Sequence, residues 1–470
     1  MSLIEQLNSI LNELQGVWTE TALMLGAIVT LLVGLIKRLD KLVIVVYLLS
    51  IVVSIALNYN NTLSGSILSG SLALSSLSSS FGFIFLIIGG LLPLFGRAKQ
   101  HRTEFFFFIL AMLVGSLFIM KANNLLIIYL AIELVSFCSY ILTNFTFKEK
   151  SFEAGIKYLL FGAICSATML FGLGMIYGAT GTIQIRGWNE VLFSGLFAQV
   201  GFVLFLVGIF FKISLAPAHL WVPATYQEAP ADAAAFMSIV PKLAALVLLQ
   251  RLFNTEIFSD DHWVLRLVFA LGMLTIIAGT LGAFKQRNAR RMIGFGAIAH
   301  SGFLLPFALL QTTTSSDAFW YYSLIYGIMN FAAFFMLDRY EKTGIYEVAD
   351  YNKSHKETWI GVVFSLILVS LVGLPPLAGF TAKFFLFSTL WESGLMMYLV
   401  VALLATVGSL FFYFRIPKSI FLSAPVDDRS INFNFSTKIL ATLFCIVLLL
   451  LFFVPQMVME AQQLLNNVHE

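Results

Sequence analysis

Apolar runs of roughly 20 residues recur from one end of the chain to the other, each long enough to cross a hydrocarbon core of about 30 Å as an α-helix. Only a few residues are left for most connections. With 59% hydrophobic and 11% charged residues over 470 positions, the chain cannot cover itself with a soluble surface. Its mean hydropathy of +0.91 calls for lipid as the solvent. The sequence therefore predicts an all-α, polytopic membrane protein built as one continuous helical domain. A net charge of +3 could suggest nucleic acid, but that requires a basic patch, and here the charges sit in short clusters between apolar runs.

Fourteen spans are expected, at 19–36, 42–58, 81–96, 104–120, 123–146, 153–177, 192–222, 231–250, 263–284, 291–311, 317–338, 358–393, 395–414 and 436–457. Ahead of them, Leu3, Ile4, Leu7, Ile10, Leu11 and Leu14 follow a helical period, as in an amphipathic helix, and no Lys or Arg precedes Gln15. The uncharged, serine-rich stretch 64–80 reads as an ordered loop or re-entrant edge. Lys and Arg test the span count, because they should concentrate in alternate connections. After odd-numbered spans fall Lys37, Arg38 and Lys41; Arg97, Lys99 and Arg102; Lys148 and Lys150; Lys285, Arg287, Arg290 and Arg291; Arg339, Lys342, Lys353 and Lys356; and Arg415, Lys418, Arg429 and Lys438. Those are twenty of the 28 basic residues, against Lys121, Arg186, Arg251 and Arg266 on the opposite side. The pattern predicts an even number of spans with both termini on the non-cytoplasmic side.

Two spans exceed their task. The seventh has 31 residues and the twelfth 36, and they contain Pro217 and Pro375–Pro376. Proline removes a helix donor and clashes with the preceding turn, so both read as broken helices. Freed backbone groups at membrane depth are tolerated only beside protein or water, which makes such breaks pointers to ion pathways. Their spacing of five predicts two inverted five-helix repeats, 104–252 (spans four to eight) and 253–415 (spans nine to thirteen). Residues 1–103 precede them with spans one to three, and 416–470 follow with span fourteen and a tail.

Beyond those counted in connections and at span ends, four basic residues fall inside spans, Lys157, Lys212, Lys242 and Lys383, together with one deep acid, Glu133. A Lys or Asp at a helix centre costs about 2.5–3.5 kcal/mol on insertion scales, an expense that argues for function over packing. Glu133 is too short to snorkel and needs a cationic partner or a proton. Lys212 precedes Pro217, where a break offers partners, and a Glu133–Lys212 contact is expected. Lys242 follows Pro241 with nothing nearby in sequence to neutralise it, and Lys383 stands on the far half of the second broken span. Desolvation penalises the charged amine, so such groups can exchange a proton near neutral pH. Snorkelling or a static ion pair is the plainer alternative for each. His300, in span ten, is either a relay group or a satisfied core histidine. Lys157 lies four residues after Glu153 and reads as a local salt bridge or a snorkelling side chain; His219 reads as a cap on the first break. Cys138, Cys165 and Cys445 lie far apart in apolar stretches and read as packing residues. No Walker A motif, dinucleotide fingerprint, iron–sulfur cysteine cluster or haem-type histidine pair is present in the sequence, so uphill transport needs partners that supply energy.

Four segments resemble the antiporter-like membrane subunits of NADH:quinone oxidoreductase (respiratory complex I), a family related to Mrp-type sodium/proton antiporters. They are SFEAGIKYLLFGAICSATMLFGLGMIYGATGT at 151–182, FKISLAPAHLWVPATYQEAPADAAAFMSIVPKLAALVLLQRL at 211–252, GTLGAFKQRNARRMIGFGAIAHSGFLL at 279–305, and LPPLAGFTAKFFLF. The resemblance spans about residues 100–415, and Tyr226 with the EAGIKY–YGATGT segment favours the subunit N branch. It implies that the family's proton relay falls on Glu133, Lys212, Lys242 and Lys383. It also implies an inner-membrane complex of other membrane subunits, with NADH, FMN, iron–sulfur clusters and quinone held by partners and no cofactor in this chain. Conformational or electrostatic change next door would drive Glu133 towards and away from Lys212, passing a proton to Lys242 and out through Lys383. A free-standing Mrp-type cation/proton antiporter, a ferredoxin- or hydrogenase-linked relative, and a purely structural subunit with static charge pairs fit many of the same features.

Overall fold

A computed structural model describes residues 13–36, 39–61, 63–96, 101–185, 188, 195–254, 263–310, 313–354, 357–423 and 432–468. The expected amphipathic helix before residue 14 lies outside the described residues but for its last positions, as do Lys37, Arg38, Arg97, Lys99, Arg186, Lys356 and Arg429. Helices follow one another almost without interruption: α1 (Trp18–Leu35), α2 (Leu42–Asn60), α3 (Ser76–Leu91), α4 (Arg102–Lys121), α5 (Leu125–Thr143), α6 (Glu149–Thr180) and α7 (Leu196–Ile213). After them come α8 (Val222–Glu228), α9 (Ala231–Phe253), α10 (Trp263–Phe284), α11 (Ala289–Leu309), α12 (Thr313–Glu341), α13 (Thr358–Val372) and α14 (Ala378–Glu392). The series ends with α15 (Met396–Tyr413), α16 (Arg415–Leu422), α17 (Phe435–Phe453) and α18 (Pro455–Val468). Thirteen helices among the described residues are long and apolar enough to cross a membrane. The remaining crossing expected from the sequence is divided between α13 and α14, each 15 residues.

Stretch 64–80 departs from the expected loop. Gly65–Ile67 pairs antiparallel with Leu72–Leu74, and Ser75 then caps α3 by accepting from the Ser78 amide, with Ser78 Oγ accepting in return from the Ser75 amide. Serine clusters compete for backbone hydrogen bonds in loops and for the same reason cap helices, so the serines after Ser75 belong to the first turns of α3.

The chain forms two compact units. One contains residues 1–212, 240–259 and 461–470; the other contains residues 213–239 and 260–460. Within the first, the connections after spans two, four, six and eight meet at one end. Asn123 Nδ2 donates to Gly70 O at 2.9 Å, Leu125 N to Ile183 O at 2.8 Å, and Arg251 Nη1 to Ala122 O at 3.1 Å. Within the second, the connections after spans nine, eleven and thirteen meet instead. Val348 N donates to Arg287 O at 2.8 Å, Arg290 pairs with Glu341, and Arg415 Nη1 donates to Gln286 O at 2.8 Å. Even-numbered connections thus join even, and odd join odd, as strict alternation requires. In the second unit α10 and α11 approach closely through small residues: a Cβ at Gly279 would lie 2.5 Å from Ala299 N, and one at Gly302 would lie 2.9 Å from Gly272 O.

Glu133 is not the only deep acid. Glu20, in the first turn of α1, is fully buried and pairs at 2.7 Å with Lys121, the last residue of α4, which the sequence had placed in a connection on the side opposite the basic clusters. Lys121 Nζ also lies 3.3 Å from Gly16 O. Removing one partner of a buried pair leaves an uncompensated charge, whereas removing both need not. Lys121→Ala is expected to destabilise the packing of α1 on α4 by about 3–5 kcal/mol. Glu20→Gln/Lys121→Gln should recover most of that loss, as read from thermal unfolding of the purified protein.

Candidate functional site: buried charges at helix breaks

Each broken span sets a lysine beside its break. In the twelfth, α13 ends at Val372, and Gly373 adopts a left-handed conformation (φ 88°) that turns the chain into the Pro375–Pro376 segment. The last carbonyls of a helix have no partner within it. Lys383, one and a half turns into α14, reaches back and donates to Val372 O at 2.7 Å, with Leu371 O at 3.3 Å. Its Nζ also sits 4.8 Å from the centre of the Phe303 ring. A Cβ on Gly373 would come within 2.7 Å of the lysine chain, so glycine is required there on two counts. Carbonyl oxygens accept from an ammonium and from an amine alike, so Lys383 keeps its place with or without the extra proton.

The seventh span breaks differently. Helix α7 ends at Ile213, Ser214 is left-handed (φ 66°), and the chain turns through Pro217 before resuming as α8. The Ala216 amide donates to Thr275 Oγ1 at 2.8 Å, and His219 contributes its carbonyl to Val222 N at 3.1 Å. Lys212, in the last turn of α7, is 2% exposed, and its Nζ has no hydrogen-bond partner among the described residues. An unpaired ammonium in such a place is costly.

The expected Glu133–Lys212 contact does not form. Glu133 is half-buried on α5 and accepts a hydrogen bond from Ser166 of α6, whose hydroxyl also lies 3.3 Å from Tyr129 OH. Tyr129 and Glu133 share a face at i,i+4, turned to α6. Lys212 lies within electrostatic reach of both Glu133 and Cys138. Cys138 stands five residues further along α5, about 7.5 Å along its axis. The acid therefore acts on Lys212 through space.

Lys242 is 1% exposed, in a helix whose spanning window is wholly buried. Pro241 supplies no amide to Met237 O, four residues back. Tyr226 of α8 instead directs its hydroxyl to that oxygen, at 3.4 Å, and Tyr326 donates to the neighbouring Ser238 O at 2.8 Å. The residue that marked the family branch in the sequence thus serves the carbonyl that a proline freed.

His300 is buried on α11, its Nδ1 3.1 Å from Tyr322 OH and its ring 5.2 Å from that of Tyr326. Asn330 Nδ2 donates to Ser238 Oγ at 2.6 Å and lies 3.3 Å from Tyr326 OH. Tyr322, Tyr326 and Asn330 escaped the sequence reading because hydroxyls and amides raise no alarm in an apolar run. Their signal was spacing: i, i+4 and i+8 place all three on one face of α12, whose spanning window is 89% buried. Lys157 forms the local pair with Glu153, which is exposed, and all three cysteines are free and buried. Among the described residues, no group of three His, Cys, Asp or Glu side chains could hold a metal ion.

Fourteen expected crossings, helix breaks within two of them and lysines buried beside those breaks define a multi-pass membrane protein of the ion-translocating type. Residues 122–409 match the family described as NADH:quinone oxidoreductase/Mrp antiporter, TM, and the chain belongs to it. It is 36% identical over 334 residues to NADH-quinone oxidoreductase subunit N 2 of Rhizobium meliloti, covering 69% of each chain. A chain of respiratory complex I from Thermus thermophilus with bound aureothin superposes with a TM-score of 0.80 at 25% identity, over 94% of this chain and 99% of that one. A chain of the Mrp complex from Dietzia sp. shares the fold at a TM-score of 0.82 and 18% identity, over 98% of each.

Tyr226→Phe is expected to strand Met237 O and to cost about 1–3 kcal/mol, whereas Tyr226→His, which can still donate, should cost less. Thermal unfolding of both variants provides the measurement.

Proposed function

We propose that the chain is a proton-translocating membrane subunit of an NADH:quinone oxidoreductase. In this reading redox chemistry in partner subunits drives transport, and NADH, FMN, iron–sulfur clusters and quinone are bound there and none here. The observation that carries it is the contrast among the buried lysines. Lys121 is neutralised by Glu20, while Lys212 and Lys383, each 2% exposed, form no ion pair among the described residues. Static charge pairs, the structural alternative, would require carboxylates beside them.

Glu133, Lys212 and Lys242 form the first part of the relay, and His300 and Lys383 the second. Change in neighbouring subunits moves Glu133 relative to Lys212, and the field of the carboxylate sets whether that amine holds its proton. Lys242 receives the proton, His300 passes it with Tyr322, and Lys383 releases it from its seat on the α13 carbonyls. Residues 104–252 and 253–415 are inverted repeats, a reading supported by breaks at matching spans, each with a lysine. The odd-numbered, basic connections face the cytoplasm of a cell inner membrane, with both termini on the other side.

In membrane vesicles, Lys242→Ala should lower NADH-driven proton pumping by about tenfold or more, equivalent to ~1.4 kcal/mol or more in the transfer barrier, while native gels show an assembled complex. Unchanged pumping would make Lys242 a structural charge. Sodium uptake in place of proton uptake would favour the Mrp-type alternative. His300→Gln preserves a hydrogen bond to Tyr322 but cannot titrate; pumping should fall as for Lys242→Ala, and retained pumping would confine His300 to packing.

A further inference from the structure

Where the basic connections of the second unit meet, α15 and α16 bound a groove of about 420 Å³ lined by Leu410, Phe411, Phe414, Arg415, Lys418 and Leu422. Four of these side chains are apolar, two are cationic and none is acidic. Arg415 is held in place: its Nη1 donates at 2.9 Å to Phe284 O, a carbonyl at the end of α10, and at 2.8 Å to Gln286 O in the connection that follows. Helix α16 buries Ile416, Pro417, Ser419 and Ile420 and exposes Lys418, Phe421 and Leu422, the arrangement of a helix lying at a membrane interface.

Charge complementarity selects an anion for this groove, and a guanidinium beside an ammonium suits a phosphate. The apolar walls decide what carries it. Leu410, Phe411 and Phe414 run back along α15 from the two cations, so the charged end lies where the span closes and the apolar end follows the spanning helix. Free phosphate would leave those walls uncovered, and an apolar peptide would leave the cations unpaired. We propose that this groove binds an anionic phospholipid, its phosphate on Arg415 and Lys418 and an acyl chain along Leu410, Phe411 and Phe414. The inference depends on the membrane fold and not on the proton relay.

The test is photocross-linking in native membranes of the assembled protein carrying p-benzoylphenylalanine at Phe414, with the same probe at exposed, lipid-facing Leu404 as reference. The expected result is enrichment of phosphatidylglycerol adducts over zwitterionic ones at Phe414 and none at Leu404. Lys418→Gln should reduce that enrichment about five-fold, the equivalent of ~1 kcal/mol for one basic residue near an anionic surface. Excess inorganic phosphate should leave it unchanged. Adducts in proportion to bulk lipid, displacement by inorganic phosphate, or cross-links to a polypeptide would each overturn the proposal. Should Lys418→Gln fail to assemble, the headgroup preference at Phe414 in the otherwise unaltered protein still decides.

Discussion

A polypeptide in lipid must satisfy its backbone polar groups from within, and the functional architecture of this protein is arranged around the places where its helices do not do so. Three such places stand out. Pro241 frees Met237 O, the end of α13 frees Leu371 O and Val372 O, and the end of α7 opens into the Ser214–Trp221 turn. Tyr226 serves the first and Lys383 the second. In these two cases a polar side chain is drawn in among the spanning helices by a backbone carbonyl, and Lys383 is one of the residues to which we assign proton transfer.

The lysines show how one residue type is put to different uses by its surroundings. Lys121 faces a buried carboxylate at 2.7 Å and acts as a clamp between α1 and α4. Lys157 is exposed and pairs locally with Glu153, a contact of the kind worth well under 1 kcal/mol. Lys383 lies on two carbonyls and Lys212 has only a distant carboxylate, so neither charge is locked. An unlocked charge is costly for stability and useful for transfer, because little must be broken to move its proton.

Hydroxyl and amide groups extend these islands without adding charge. Tyr322, Tyr326 and Asn330 share one face of α12; in the second unit Tyr322 meets His300, while Tyr326 and Asn330 bond to Ser238, and the His300 ring lies against that of Tyr326. Such groups cost far less than ions to bury once they are paired. Close approach of α10 and α11 through Gly279 and Gly302 packs the helix that carries His300 against its neighbour.

The sequence by itself determined what depends on periodicity and composition. It set the number and placement of spans, the breaks at Pro217 and Pro375–Pro376, the alternation of basic connections, and the burial of Lys212, Lys242 and Lys383. Run length, proline chemistry and the cost of charge in lipid are local quantities, readable one segment at a time. Partnership was decided only by the tertiary structure. Glu20 and Lys121 are 101 positions apart and nothing local joins them; Glu133 turned to Ser166 because its helical phase faces α6; and Tyr226 found Met237 O only because α8 folds back onto α9. Which side chains meet depends on the rotation of each helix about its axis, and that rotation is fixed by packing against neighbours from distant parts of the chain.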